Sequence, residues 1–208
     1  MSKFRLFLLL CCVQFSAFAI DRTQVANSPE QVAPLMNGQF VPDVVVQTEF
    51  GRDIRLQSLV ENRPSLIIFY RGGWCPYCNR QMAGLIDVEQ RILDMGYQII
   101  AISPDAPDRL QEQKTETGFD VVRLSDAKLH AIRGFGLGYF VPETEASKYR
   151  DTLGATLTTL EGTERVVLPV PAAFIVDTSG VIQFQYVNPN YKVRVQPQLL
   201  YYAARLTK

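Results

Sequence analysis

Hydrophobic and polar positions along the 208-residue chain fall into blocks whose period changes from one to the next. Leu66-Ile67-Ile68-Phe69-Tyr70 is an unbroken apolar run rich in β-branched residues, the pattern of a strand buried on both faces. After an intervening turn, Met82, Leu85, Ile86, Val88, Ile92 and Met95 recur at helical spacing, which predicts a helix over 76–95, opened by Pro76 and stopped by Gly96. A strand over 97–102, a polar helix over 107–116, a strand over 121–124 and a short helix containing His130 follow. This alternation predicts a parallel sheet with crossover helices. Upstream, 41–48 and 53–56 read as a strand pair around Gly51, and 57–60 as one helical turn. Residues 20–37 read as a leader with a short helix near 29–36. Downstream, 172–177 and 181–187 form a hairpin around Thr178-Ser179-Gly180, and 197–206 a closing helix. Residues 134–168 mix apolar and charged positions without a strand period. They predict a long insertion with one helix at about 143–151, the natural surface for choosing a partner or for a homodimer contact.

The N-terminus carries a different signal. Lys3 and Arg5 precede an apolar block from Leu6 to Phe18, and Ala17-Phe18-Ala19 offers a small-x-small cleavage site. The pattern is that of a secretory signal peptide over 1–19, too short to span a bilayer, which implies a periplasmic or secreted protein with no stable membrane insertion after cleavage. A lipid-anchored alternative at Cys11 or Cys12 is weaker, because bulky Leu10 precedes Cys11; an uncleaved anchor is the other alternative. Cleavage after Ala19 removes Cys11 and Cys12 and leaves Cys75 and Cys78 as the mature cysteines. Charge is balanced, 21 basic against 21 acidic residues, which argues against nucleic acid as a partner.

The chemistry concentrates in Arg71-Gly72-Gly73-Trp74-Cys75-Pro76-Tyr77-Cys78-Asn79-Arg80, at a strand-to-helix turn. Pro76 suits the first helical position, which makes Cys75 the N-cap and leaves Cys78 one turn inside. A helix N-terminus is worth up to ~2 kcal/mol to an anion, enough to bring a thiol from ~8.5 toward ~7. Cys75 is therefore expected to be the exposed, activated sulfur and Cys78 the shielded one, with Arg71 and Arg80 as electrostatic support. A structural disulfide closing so short a loop gains little. A closed zinc site needs four ligands, more than two cysteines and a single histidine supply, so no metal or other cofactor is expected. Trp74 is expected to flank and shield the active sulfur, or simply to pack. His130 reads as a surface or packing residue, Asp105 and Asp126 as caps, and Tyr186, Tyr191, Tyr201 and Tyr202 as core and rim.

Taken with Ile102-Ser103-Pro104-Asp105, Leu124-Ser125-Asp126 and Pro171-Ala172-Ala173-Phe174-Ile175-Val176-Asp177, the motif resembles the thioredoxin-like fold in its peroxiredoxin-like, AhpC/TSA form, over about residues 38–206. The resemblance implies an α/β protein with a central mixed sheet flanked by helices and a peroxiredoxin-like N-terminal extension, in a domain spanning 38–208. Aligned on Phe69-Tyr70, the family's peroxidatic cysteine falls on Cys78, its threonine on Cys75, its opening proline on Arg71, and its arginine on or beside Pro171. The thiol is kept and its usual peroxide-activating partners are missing. The similarity to exported thioredoxin-like proteins implies instead Cys75 as nucleophile, Cys78 as resolver, and a cis Pro171 after Val170 whose backbone receives a substrate strand. Pro76 and Tyr77 are similar to the glutaredoxin dipeptide. The leading expectation is an exported thiol–disulfide oxidoreductase acting on protein or small-molecule thiols and disulfides. A thiol-dependent peroxidase using Cys78 or Cys75 is the alternative, and a static-disulfide binding module the third.

Overall fold

A computed structural model describes residues 21–117, 121–153, 157–160 and 162–207. The signal-peptide reading of 1–19, with Cys11 and Cys12, lies outside the described residues. Ten strands and six α-helices are described: β1 (Val45–Thr48), β2 (Asp53–Arg55), α1 (Leu56–Asn62), β3 (Ser65–Phe69), α2 (Pro76–Asp94), β4 (Gln98–Ser103), α3 (Pro107–Thr117), β5 (Val122–Ser125), α4 (His130–Gly134), β6 (Gly138–Phe140), α5 (Glu143–Ser147), β7 (Leu157–Leu160), β8 (Thr163–Pro169), β9 (Ala172–Val176), β10 (Ile182–Val187) and α6 (Pro197–Leu206).

Seven strands form a mixed sheet in the order β10-β9-β3-β4-β5-β1-β2. β3, β4 and β5 are parallel and joined by α2 and α3, as the alternation predicts; β9 pairs antiparallel with β3, placing Ala172 opposite Phe69. β3 is fully buried because it divides two cores. Leu66, Ile68 and Tyr70 pack with Met82, Leu85, Val88 and Ile92 of α2 and Leu200 and Ala204 of α6, while Ile67 and Phe69 face Phe135, Phe174 and Ile132. Each large apolar side chain so buried contributes about 1.5–3 kcal/mol of transfer free energy. That two-sided burial fixes the register of β3, and with it the point where the chain leaves the sheet at Tyr70. No helix among the described residues is long and apolar enough to cross a membrane.

Three expectations are corrected. The leader helix is only a 3-10 turn, Pro29–Gln31, because Val32 turns extended (ψ 151°) ahead of Ala33-Pro34. The turn at 57–60 is a seven-residue helix, Leu56–Asn62. The insertion holds, besides its helical segment at Glu143–Thr152, a second antiparallel sheet in the order β6-β8-β7. Val166, Val167 and Leu168 of β8 are all buried, so both faces are covered and the period of two is erased.

Candidate active site

The turn between β3 and α2 sits at the C-terminal ends of parallel strands β3 and β4, where open α/β sheets present ligand sites. Its shape is dictated by glycine. Gly72 adopts φ +144°, and a β-carbon there would collide with the Trp74 indole and lie 2.8 Å from Asp105 Oδ1; one at Gly73 would collide with Gln113. Asp105, buried after β4, accepts hydrogen bonds from Gly73 N–H (2.9 Å) and Gln113 Nε2 (2.6 Å), and Gln113 Oε1 accepts from Tyr70 Oη (2.9 Å). Asn79 Nδ2 closes the far side on Gly73 O (2.8 Å). Cys75 is the N-cap of α2 with Pro76 at the first helical position, and its carbonyl accepts from the Cys78 and Asn79 amides (3.0 Å each).

Both sulfurs are buried free thiols, Cys75 1% and Cys78 0% exposed, so the expected exposure of Cys75 is not found. Both belong to the core on the α2 side of the sheet, with Trp74 and Tyr77 packed against it, and Arg194, beyond β10, reaches both sulfurs. Its Nη2 lies 3.3 Å from Cys78 Sγ and 3.8 Å from Cys75 Sγ, while Nη1 donates to Gln81 Oε1 (3.1 Å) and Nε to Tyr191 O (2.8 Å). Arg71 approaches from the strand side. It is 2% exposed, and its guanidinium stacks on Tyr191 (4.1 Å), Tyr149 (4.6 Å) and Trp74 (5.3 Å). Such cation–π contacts contribute about 0.5–2 kcal/mol each. Among the described residues neither arginine is ion-paired with a carboxylate. Arg71 donates to the Tyr139 and Tyr149 hydroxyls, and a Cys75 thiolate is a negative charge that both arginines stabilise.

The electrostatics separate the two thiols. Cys75 is lowered from 9.0 to about 6, first by the hydrogen bond from the Cys78 thiol, against the opposing effect of burial, and then by the Cys78 amide, Arg71 and Arg194. Burial and the neighbouring sulfur push Cys78 well above the ordinary thiol value. The paired thiol thus contributes most to lowering Cys75, the Cys78 amide of the helix next, and the two arginines after it.

Trp74 packs against Tyr149 (5.4 Å) as part of the box around Arg71. Tyr77 meets Tyr191 edge-on (5.6 Å), Pro76 is exposed, and Arg80 points outward over the Tyr77 ring (5.7 Å), away from the sulfurs' immediate shell. Val170 and Pro171 do not provide the expected free backbone. Among the described residues no peptide bond is cis. Val170 N–H donates to Leu137 O (3.0 Å), just before β6 of the second sheet, and Pro171 O accepts from Asn188 N–H (3.1 Å), just after β10, so the two flanking sheets take up those groups where β8 runs into β9. His130 is exposed, with Nδ1 3.1 Å from Val45 O. The described residues contain no group of three or more His, Cys, Asp or Glu side chains able to hold a metal ion.

Sequence reasoning missed Arg194, Tyr149 and the stacking role of Tyr191, which lie 116, 71 and 113 residues from Cys78 and carry no local motif. Gln81 had a signal: it is a polar residue on the apolar face of α2, and it is buried.

Known proteins share this fold. The model of the AhpC/TSA family matches residues 37–185. Peroxiredoxin bcp1 of Schizosaccharomyces pombe is 28% identical over 99 residues, 48% of this chain and 51% of that protein. Peroxiredoxin Bcp of Escherichia coli K12 is 26% identical over 104 residues, 50% of this chain and 66% of that protein. The chain thus spans about half of the one relative's length and just under two thirds of the other's. Among solved structures, peroxidoxin BcpB from Mycobacterium tuberculosis superposes with a TM-score of 0.64 at 18% identity, covering 84% of this chain and 99% of that one. Reduced Prx3 from Vibrio vulnificus gives 0.65 at 14%, covering 82% and 99%. The mixed sheet, the cysteine-bearing turn at its C-terminal edge and a family match over well over half of the residues lead to one conclusion: the chain is a thioredoxin-like α/β protein that belongs to the AhpC/TSA family.

Proposed function

We propose that this chain is a two-cysteine thiol peroxidase whose Cys75–Cys78 pair cycles between dithiol and disulfide. The observation that carries the reading is the convergence of Arg71 and Arg194, both without a carboxylate partner among the described residues, on the sulfur held at about 6. The Cys75 thiolate attacks one oxygen of ROOH, the O–O bond breaks, and the departing RO⁻ takes a proton to leave as ROH. The Cys78 thiol then attacks the Cys75 sulfenic acid, and water carries off its hydroxyl with the Cys78 proton as the disulfide forms. Two electrons from external thiol restore the pair. The two arginines stand in for the family's activating arginine, whose position falls on or beside Pro171. They stabilise negative charge both on the sulfur and on the departing oxygen.

The raised Cys78 thiol and the lowered N-cap Cys75 support the assignment of Cys75 as nucleophile and Cys78 as resolver, the roles the sequence implies for disulfide exchange. Burial of Cys75 supports a small oxidant over a macromolecular disulfide. Stopped-flow mixing with hydrogen peroxide tests this. Oxidation of Cys75 at least about a hundredfold faster than for a free thiolate is expected, followed by disulfide formation. A rate like that of a free thiol, together with rapid insulin reduction, would turn the reading to disulfide exchange alone.

Export belongs to the same proposal, supported by the charge, apolar-block and Ala-Phe-Ala pattern of residues 1–19. Protein beginning at Ile20 in the exported fraction is the expected product, and a mature protein retaining Met1 would overturn it.

A further inference from the structure

Beside the sulfurs, where the first turns of α2 meet the segment after β10, lies a cleft of about 280 Å³. Its rim carries Arg80, Lys192 and Arg194, with Gln81 and Gln196 between them and Tyr77 on one side; no acidic residue lines it. None of the three cations is ion-paired with a carboxylate among the described residues. Lys192 Nζ stands 5.9 Å from the Tyr191 ring and the Arg80 guanidinium 5.7 Å from Tyr77, so each is turned to an aromatic face and left without an anion. Arg194 belongs to both places: it lines the cleft and reaches Cys78 Sγ and Cys75 Sγ.

Three cations around one small hollow, with no acidic residue among its lining, are a local asymmetry that selects anions in a chain of zero formal net charge. At about 280 Å³ the hollow is too small to seat the acyl chain of a lipid hydroperoxide, and a small neutral peroxide needs no cationic rim. From this we infer that the cleft docks the carboxylates of a small anionic thiol, the reductant of the Cys75–Cys78 disulfide. The inference rests on the reading that the pair cycles through a disulfide.

With the carboxylates on Arg80 and Lys192, the thiolate sulfur of R–S⁻ is directed past Arg194 toward Cys75. An R–S–Cys75 bond forms, the Cys75–Cys78 bond breaks, and Cys78 leaves as a thiolate that takes up a proton. A second R–S⁻ attacks the R sulfur of the mixed disulfide, releasing R–S–S–R and the Cys75 thiolate. Two thiols are oxidised and the protein gains two electrons.

The test oxidises the pair with hydrogen peroxide, or in parallel with diamide, and follows its reduction by mercaptosuccinate, 3-mercaptopropionate, 2-mercaptoethanol and cysteamine. Rates are read by acid quench and mass, and by fluorescence of Trp74, the single tryptophan, and are normalised to thiolate concentration. At low ionic strength mercaptosuccinate is expected to outpace 2-mercaptoethanol by on the order of tenfold, with 3-mercaptopropionate between them and cysteamine slowest. The spread should shrink in ~0.5 M salt. In the double variant Arg80→Gln/Lys192→Gln the anionic-to-neutral ratio should fall toward one, and in Arg80→Glu/Lys192→Glu the order should invert in favour of cysteamine. Both substitutions change exposed side chains. Equal rates for all four thiols, or a preference that survives in both variants, would overturn the inference and leave the peroxidase reading standing. A disulfide that forms with diamide and not with peroxide refutes the peroxide step while the thiol series still decides the cleft. No disulfide with either oxidant sinks both.

Discussion

Arg194→Gln isolates one cation from the rest of the site. Its Nη2 stands 3.8 Å from Cys75 Sγ. Two unit charges at that separation interact by about 2–4 kcal/mol at an effective dielectric constant of roughly 20–40. Because Arg194 is half-buried, solvent screening takes the value toward the bottom of that range and below it, about 1.4–2.7 kcal/mol, equivalent to ~1–2 pKa units. The titration midpoint of Cys75 should therefore climb from about 6 to roughly 7–8. At pH 6 that cuts the thiolate fraction about five- to fiftyfold, while near pH 9 the variant and the parent converge. The assay is the pH dependence of iodoacetamide alkylation of Cys75, read by mass, alongside thiolate absorbance at 240 nm and the rate of peroxide oxidation. Arg194→Lys keeps a charge and loses the fork that spans Gln81 and the sulfurs, so it should recover most of the midpoint. A midpoint in Arg194→Gln within ~0.3 unit of the parent would refute the assignment of Arg194 as one of the two activating cations.

Three further outcomes follow from the same geometry. Cys78→Ala removes the largest contribution lowering Cys75, so the Cys75 midpoint should rise, and one equivalent of peroxide should leave a sulfenic acid that dimedone traps and mass resolves as a single adduct. Gly72→Ala forces a β-carbon against Trp74 at φ +144°; urea unfolding should show a loss of at least ~2 kcal/mol, with a shifted Trp74 emission, and an unchanged midpoint would show that the turn is not so tightly wedged. Asp126 is a buried carboxyl that burial pushes up to about 7 against the amides of Ile132, Ala131 and His130. Its folded value exceeds its unfolded one, so the stability it contributes is complete below about pH 4 and is lost as pH rises through about 7. Over that window the parent should lose up to about 4 kcal/mol relative to Asp126→Asn, measured as the pH dependence of the difference in urea midpoints; a difference flat with pH would contradict it.

The sequence by itself determined the elements whose burial is one-sided or complete in a single run. Leu66 to Tyr70 had to be an interior strand, and the spacing from Met82 to Ile92 had to be a helix laid against it. Pro76 set the first helical residue and so put Cys75 at the cap. These are local consequences of side-chain period and backbone freedom, legible without knowing what packs where. The second sheet was hidden because β8 is covered on both faces and shows no alternation. The environment of the sulfurs was hidden for a different reason. Asp105, Tyr149 and the Tyr191–Arg194 segment reach the Cys75-Cys78 turn from three separate parts of the chain, the first and last of them placed by the pairing of β3 with β4 and of β9 with β3 and β10. A charge's effect depends on distance and on how much water lies between, and neither is written in sequence separation. Tertiary structure therefore decided that Cys75 is covered, that its activation comes mainly from Cys78 and two arginines, and that the backbone at Val170 and Pro171 is already engaged.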